Sequence, residues 1–298
     1  MPLAAFPKCY LPELCTTKTM SIDDWIIASA DLDIDGLEFY WNFTPTNGEA
    51  RRQIRQLVES QGRSIPMMCY SPDFTKPARA DRMAEVEAQK IVLRVCEELG
   101  VRYCRVLSGQ RRPGLDRAET IRWVAECIHL LLQDAASRGV TLILENHYKD
   151  SFWQYPEFAQ PSDIFVDLAT EIGDHPFFGV NYDPSNTLIA GEDPIELLEA
   201  VKHKVVSMHA SDRFLKGGSL ENLKKIDREG IEGYSSLLQH GVIGEGLNDY
   251  DRIFSILKSV KFKGWVSIED GVEPRGGMER LARSAKFLRG KMREHGLC

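Results

Sequence analysis

The chain has 298 residues, 43% of them hydrophobic and 27% charged, and its 37 Lys+Arg against 44 Asp+Glu leave a net charge of -7. That balance excludes a mainly disordered chain and provides no basic field or Lys/Arg-rich run to gather nucleic acid. The longest apolar runs, such as Thr141 to Leu144 and Ile128 to Leu132, fall far short of the ~20 residues needed to cross a bilayer. Seven cysteines with no C-x-x-C pair suit reduced, buried thiols better than a disulfide framework. The segment before Tyr10 has no basic stretch leading into an apolar one, so a cytoplasmic address is expected.

In chain order, short apolar or β-branched runs predict eight strands: Ala5 to Cys9, Gly36 to Tyr40, Ser64 to Tyr70, Arg102 to Leu107, Thr141 to Glu145, Gly179 to Asp183, Val205 to His209 and Trp265 to Glu269. Between them, apolar residues three and four apart predict helices, most clearly over Arg79 to Leu99, Asp116 to Arg138 and Gly276 to Glu294. Gly100 and Gly139 follow helix ends, while Pro161 and Asp193-Pro194 mark starts. Eight strands with intervening helices imply one closed (β/α)8 barrel, a single TIM-barrel domain over 1–298. The longest connection, Asp212 to Lys263, reads as an insertion roofing a site.

The last four predicted strands end in Glu145, Asp183, His209 and Glu269. Counting back by twos gives Ile143 and Thr141, Asn181 and Gly179, Ser207 and Val205, and Ser267 and Trp265, one mixed face per strand. The opposite parity is mainly apolar and suits the surrounding helices. The four terminal residues therefore converge at the C-terminal mouth of the barrel. Three carboxylates gathered there resist joint ionisation unless a cation sits among them. With the imidazole they form a hard donor set for one divalent metal ion: Mn²⁺ first, with Mg²⁺, Co²⁺ or Zn²⁺ as alternatives.

Leu-Glu145-Asn-His147, Asn-Tyr-Asp183-Pro-Ser-Asn186, Met-His209-Ala-Ser-Asp212 and Ser-Ile-Glu269-Asp resemble the four metal-site motifs of the xylose isomerase-like TIM barrels, the sugar phosphate isomerase/epimerase group. The resemblance extends over essentially the whole chain, including Gly36-Leu-Glu38 and Gly244-Glu-Gly246-Leu-Asn-Asp-Tyr250. It implies metal ligation by Glu145, Asp183, His209 and Glu269. The endonuclease IV-like members carry further histidines on the third and fourth strands, which read Pro66-Met-Met-Cys-Tyr70 and Tyr103-Cys-Arg-Val-Leu107 here, so a single metal is expected. Asn186 stands where ketose 3-epimerases commonly have a histidine.

The leading function is a metal-dependent isomerase or epimerase acting on a small carbohydrate or polyol by proton transfer through an enediolate. Glu145 and Glu269 serve as ligands and acid/base groups, and His147 as a further catalytic candidate. Glu38, Asn186, Asp212 and Trp153 are the candidate substrate contacts. Glu38 is alternatively a buried structural carboxylate, and Asp212 alternatively orients His209 or caps a loop. The aromatic segments Phe39-Tyr40-Trp41 and Phe152-Trp153-Gln154-Tyr155 suit a sugar face, mutual packing or a homo-oligomer contact. Arg111-Arg112 and Arg213 are read as solvated surface charge. A lyase or hydrolase that cleaves 3-keto glycosides is the alternative, and a noncatalytic sugar-binding subunit or an endonuclease IV-like nuclease are the further, less favoured readings.

Overall fold

The computed structural model describes residues 1–229, 234–269 and 276–297. Its strands are β1 Leu3–Ala5, β2 Gly36–Leu37, β3 Phe39–Tyr40, β4 Met67–Cys69, β5 Tyr103–Val106, β6 Thr141–Glu145, β7 Phe178–Tyr182, β8 Val205–Ala210, β9 Arg213–Leu215, β10 Leu238–His240 and β11 Trp265–Ile268. The helices are α1 Ile22–Ala28, α2 Gly48–Ser60, α3 Arg79–Leu99, α4 Arg117–Ser137, α5 Ser162–Ile172, α6 Pro184–Ile189, α7 Pro194–Val201, α8 Leu220–Glu229, α9 Tyr234–Leu237, α10 Tyr250–Ser259 and α11 Gly277–Glu294. Nine strands form a parallel sheet in the order β2-β1-β11-β8-β7-β6-β5-β4-β3. Because β2 and β3 are two halves of one barrel strand separated by Glu38, with Ala4 opposite Gly36 and Phe39 opposite Met68, the ring closes there. The result is the expected TIM barrel.

The alternation of side chains decides what each face contacts. Leu142, Leu144, Val180, Tyr182, Met208, Val266 and Ile268 point outward into one core cluster with helix residues such as Leu93, Ile128, Phe165, Leu198, Phe254 and Leu288. Removing each such large aliphatic side chain from water contributes about 1.5–3 kcal/mol. Inside the ring, Met67, Cys69 and Ile143 form a separate buried cluster with Tyr40, Tyr103 and Val206 against it. The lumen is thus plugged below, and the polar strand ends lie above the plug.

Two expectations are corrected. The first strand is Leu3–Ala5, and Lys8–Tyr10 is a short 3-10 turn. Pro7 lacks the N–H that would extend a ladder, so the chain turns over the mouth and carries Lys8 with it. On β8 the register against β7 shifts between Val180 and Asn181, so that Val180 faces Val205 and Asn181 faces Ser207. The extra residue breaks the two-residue period: Val205 joins the helix-facing core and Val206 the lumen cluster. Gly179 fits that bulge, since a Cβ there would meet Val206 Cγ2 at 2.4 Å.

Within the connection 212–263, β9 and β10 form an antiparallel hairpin with α8 and α9 between them, while α10 packs in the outer helical layer against α7 and α11. The sequence also predicts a helical fragment over Ile231 to Gln239 in this connection, and that segment lies partly outside the described residues. Six cysteines are free thiols, and Cys298 lies outside the described residues. Among the described residues no helix is long and apolar enough to cross a membrane.

Candidate metal centre and active site

Glu145 ends β6, Asp183 follows β7, His209 lies in β8 and Glu269 follows β11. The ladder aligns them: Glu145 is opposite Asn181, Ser267 is opposite His209, and the Glu269 N–H donates to Ala210 O at 2.8 Å. One donor atom from each of the four lies within 4.8 Å of all the others, and all four residues are buried. His209 Nδ1 is 3.0 Å from Glu145 Oε1 and 3.7 Å from Glu269 Oε2. Asp183 accepts Ser185 N–H, Asn186 N–H and the Ser211 hydroxyl at 2.8, 3.2 and 2.7 Å, all on Oδ1. Its other carboxylate oxygen is not used in these bonds.

The charges confirm the strain of this assembly. Burial, then Glu269 and Glu145, pushes the Asp183 carboxyl above its ordinary range. Burial would also raise Glu145 and Glu269, but His209 and Arg105 hold Glu145 well below the carboxylate range, and Lys8 and His209 hold Glu269 low. Three clustered carboxylates that cannot all ionise comfortably, beside one imidazole, fit a divalent cation of the kind expected from the sequence.

Behind the cluster, His209 Nε2 faces Glu38, whose oxygens lie at 3.0 and 3.1 Å, and the Cys69 thiol donates to Glu38 Oε1 at 2.9 Å. Burial pushes that thiol up, so it stays a protonated donor rather than a thiolate ligand. Glu38 thus stands where it orients the imidazole with Nδ1 toward the donor set, in keeping with its alternative reading as a buried structural carboxylate. The buried carboxylate of Asp212 accepts the N–H groups of Arg213, Gly244, Gly246 and Asn248 at 2.9, 2.9, 3.0 and 3.1 Å. Those bonds use it to fold the loop after β8, which is its alternative reading as a loop-capping carboxylate.

A cavity of about 420 Å³ opens beside Glu269 and is lined by Lys8, Tyr40, Arg105, His147, Tyr148 and Tyr234 among others. Trp153 is half-buried and is not among its lining residues, whereas Phe152 is exposed. The wall of this cavity comes from Tyr148 to Ser151. Asn186 Nδ2 reaches Glu145 Oε1 at 3.4 Å, which places this candidate next to the four-residue group.

Sequence reasoning assigned no role to three residues that shape the site. Arg105 on β5 donates to Glu145 Oε2 at 2.9 Å and to Ser71 Oγ at 3.0 Å. Lys8 Nζ is 3.2 Å from Glu269 Oε1. Glu157 Oε2 is 3.5 Å from His147 Nδ1, and its Oε1 accepts the Ser108 N–H and hydroxyl at 2.8 and 2.9 Å. Burial would lower the His147 imidazole, but Glu157 and Glu145 more than reverse that and raise it. The signal for Arg105 was available: it shares the lumen parity of Tyr103 and Leu107. Arg112 pairs with Asp73, and Arg213 is only 4% exposed, so the reading of Arg213 as solvated surface charge is corrected.

A family model described as a xylose isomerase-like TIM barrel matches residues 26–291. An inosose dehydratase of Clostridium botulinum (strain Alaska E43 / Type E3) is 24% identical over 153 residues, 51% of this chain and 47% of that protein. The chain spans about half the length of the curated relatives it matches. A D-tagatose 3-epimerase-like protein superposes with a TM-score of 0.72 at 16% identity, over 99% of this chain and 98% of its own. The IOLI protein with a bound zinc atom superposes with a TM-score of 0.73 at 15% identity, over 99% of each chain. At those identities the structural likeness establishes the fold.

Proposed function

The chain belongs to the xylose isomerase-like TIM barrel family, and from that premise we propose a divalent-metal-dependent lyase that eliminates water from a sugar- or polyol-derived ketone. One observation carries the choice of elimination. Both oxygens of Glu145 are engaged, Oε1 with His209 and Oε2 with Arg105, while His147 lines the cavity with Glu157 at its back. A carboxylate held low by two cations is a poor base, whereas an imidazole backed by a carboxylate is a good one. The base is therefore His147 and not Glu145.

A divalent cation held by Glu145, Asp183, His209 and Glu269 supplies, when bound, polarisation of the ketone carbonyl and greater acidity of the adjacent C–H. His147 takes that proton through the ring nitrogen turned away from Glu157, and Glu157 stabilises the imidazolium that results. Lys8, also on the cavity wall, protonates the hydroxyl on the next carbon. The C–H electrons become the new C=C bond, the C–O bond breaks, and water leaves. His147 then gives its proton to solvent and Lys8 takes one back from solvent, which returns both groups to their starting state. The named curated relative is itself a dehydratase, which supports the same reading.

Isomerisation or epimerisation is the second reading. It is favoured by Glu145 and Glu269 offering donor atoms within 4.8 Å of each other from two separate strand ends. The deciding experiment incubates the Mn²⁺-loaded protein in deuterated water with polyol ketones and free ketoses, and follows products by mass and proton spectra. A product lighter by one water, formed about 10²–10⁴-fold more slowly by His147→Ala, is expected. A product of unchanged skeleton that gains deuterium, is lost in Glu269→Gln and is insensitive to His147→Ala would install the second reading instead.

A further inference from the structure

Asp150 lines the cavity beside Glu269 and is only 8% exposed. Its Oδ1 accepts the Phe152 N–H at 2.9 Å, and its Oδ2 accepts the Tyr40 O–H at 3.3 Å, a long bond between two oxygens. A carboxylate offers about four acceptor positions, so this one keeps capacity for further donors. Among the described residues it forms no ion pair, and three cations that share the cavity with it face other acids: Lys8 pairs with Glu269, Arg105 with Glu145 and His147 with Glu157. A largely buried carboxylate without a cation is costly unless hydrogen-bond donors meet it.

The surroundings hold that carboxylate at the cavity rather than turn it away. Asn42 Nδ2 donates to the Tyr40 hydroxyl oxygen at 2.8 Å, which leaves the phenolic hydrogen for Asp150, and Tyr40 itself lines the cavity. Asp150 lies five residues beyond Glu145 on the same loop as His147, so its position is tied to the strand that carries the metal-site acid. Beside it, the rings of Tyr148 and Tyr234 meet edge to face with centroids 4.7 Å apart and give the same cavity an apolar surface. An acceptor-only group next to aromatic rings matches a molecule with hydroxyls on one side and C–H bonds on another.

We propose that Asp150 is a specificity residue of this cavity. It accepts hydroxyl groups on the part of the substrate remote from the carbonyl, and the substrate is a polyhydroxylated ketone with no phosphate or carboxylate at that end. The proposal deepens the dehydration reading and rests on the cavity being the substrate site. A hydroxyl bonded to an ionised carboxylate is stronger than a bond between neutral groups. A phosphate in the same place would bring a like charge and no donor, so one residue both favours the hydroxyl and rejects the ester.

The test measures binding rather than turnover. Calorimetric titrations of the Mn²⁺-loaded protein compare fructose, whose carbonyl is at carbon 2, with its 5,6-dideoxy analogue and its 6-phosphate. Fructose is expected to bind about ten- to hundredfold more tightly than either. In Asp150→Asn the three affinities should draw together, mainly because fructose binds more weakly. The dideoxy analogue and Mn²⁺ should bind that variant as they bind the wild type, which a residue that only holds the Phe152 turn would not allow. Independently of any variant, a crystal structure of the wild type with Mn²⁺ and fructose should place a hydroxyl of carbon 5 or 6 within about 3 Å of an Asp150 oxygen. Equal wild-type affinity for the dideoxy analogue, tighter binding of the phosphate, or fructose bound with no hydroxyl at Asp150 would overturn the proposal. So would an Asp150→Asn variant that melts lower and loses all three ligands equally. Hydroxyl-dependent binding without loss of water from any ketone would sink the dehydration reading alone, and dehydration of the dideoxy analogue as readily as of fructose would sink this proposal alone.

Discussion

Glu145 and His147 lie two residues apart, yet their neighbours differ: Arg105 and His209 take up the two oxygens of Glu145, while Glu157 stands 3.5 Å behind His147 and, in the proposed reaction, equips it to accept a proton. Glu145, Asp183 and Glu269 were legible because each closes a plain alternation at a strand end, and His209 because Ser207 and His209 keep that alternation beyond the β8 bulge. Glu38 and Asp212 were not, since residue type alone does not say whether a carboxylate will meet a metal, an imidazole or four amides. Their partners come from strands and loops remote in sequence. Two outcomes are expected at this scale. Glu38→Gln should weaken metal binding about 10–100-fold by loosening the His209 ring, as read by competition with a chromophoric chelator; equal affinity would refute the orienting role. Arg105→Met leaves Glu145 charged and buried without its guanidinium, which should cost about 3–5 kcal/mol in denaturant unfolding of the metal-free protein. Adding Glu145→Gln should recover part of that loss, and a cost that stays the same would show that Arg105 matters for packing instead.

At the scale of elements, periodicity identified the helices and most strands but not their local interruptions. The Arg79–Leu99 helix has the bounds expected from its apolar spacing. The first strand ends early at Pro7, and the bulge on β8 swaps Val205 and Val206 between faces. Neither event changes composition, so only pairing reveals it. The shortened first strand has a functional consequence, because it puts Lys8 beside Glu269. The loop after β9 and β10 is a similar case: its glycines are spaced by the Asp212 carboxylate they surround. A Cβ at Gly246 would come within 2.2 Å of Asp212 Oδ1 and 2.4 Å of Arg213 O. Gly246→Ala should therefore destabilise the fold by about 1–3 kcal/mol. Thermal unfolding checks the first effect. An unchanged melting temperature would mean that the loop yields and that Asp212 does not fix it.

For the whole molecule, the four candidate ligands come from four different strand ends, so the donor set exists only when the ring is closed. Any ion that binds it binds the folded state and not the unfolded chain, and therefore adds to stability by mass action. At a free ion concentration of about 100 times Kd the gain is about 2.7 kcal/mol. With about 2–4 °C per kcal/mol for a large domain, the melting temperature should rise by roughly 5–10 °C on adding Mn²⁺ and return on adding chelator. Relief of repulsion among Asp183, Glu145 and Glu269 points the same way, since burial and its two neighbours already oppose the ionisation of Asp183. Asp183→Asn and His209→Ala should melt at the same temperature with and without the ion, and elemental analysis should give one ion per wild-type chain. A melting temperature indifferent to every divalent metal would remove the metal centre and with it the proton chemistry built on it. A ratio near three would require ligands beyond the four strand ends and would revive the nuclease alternative.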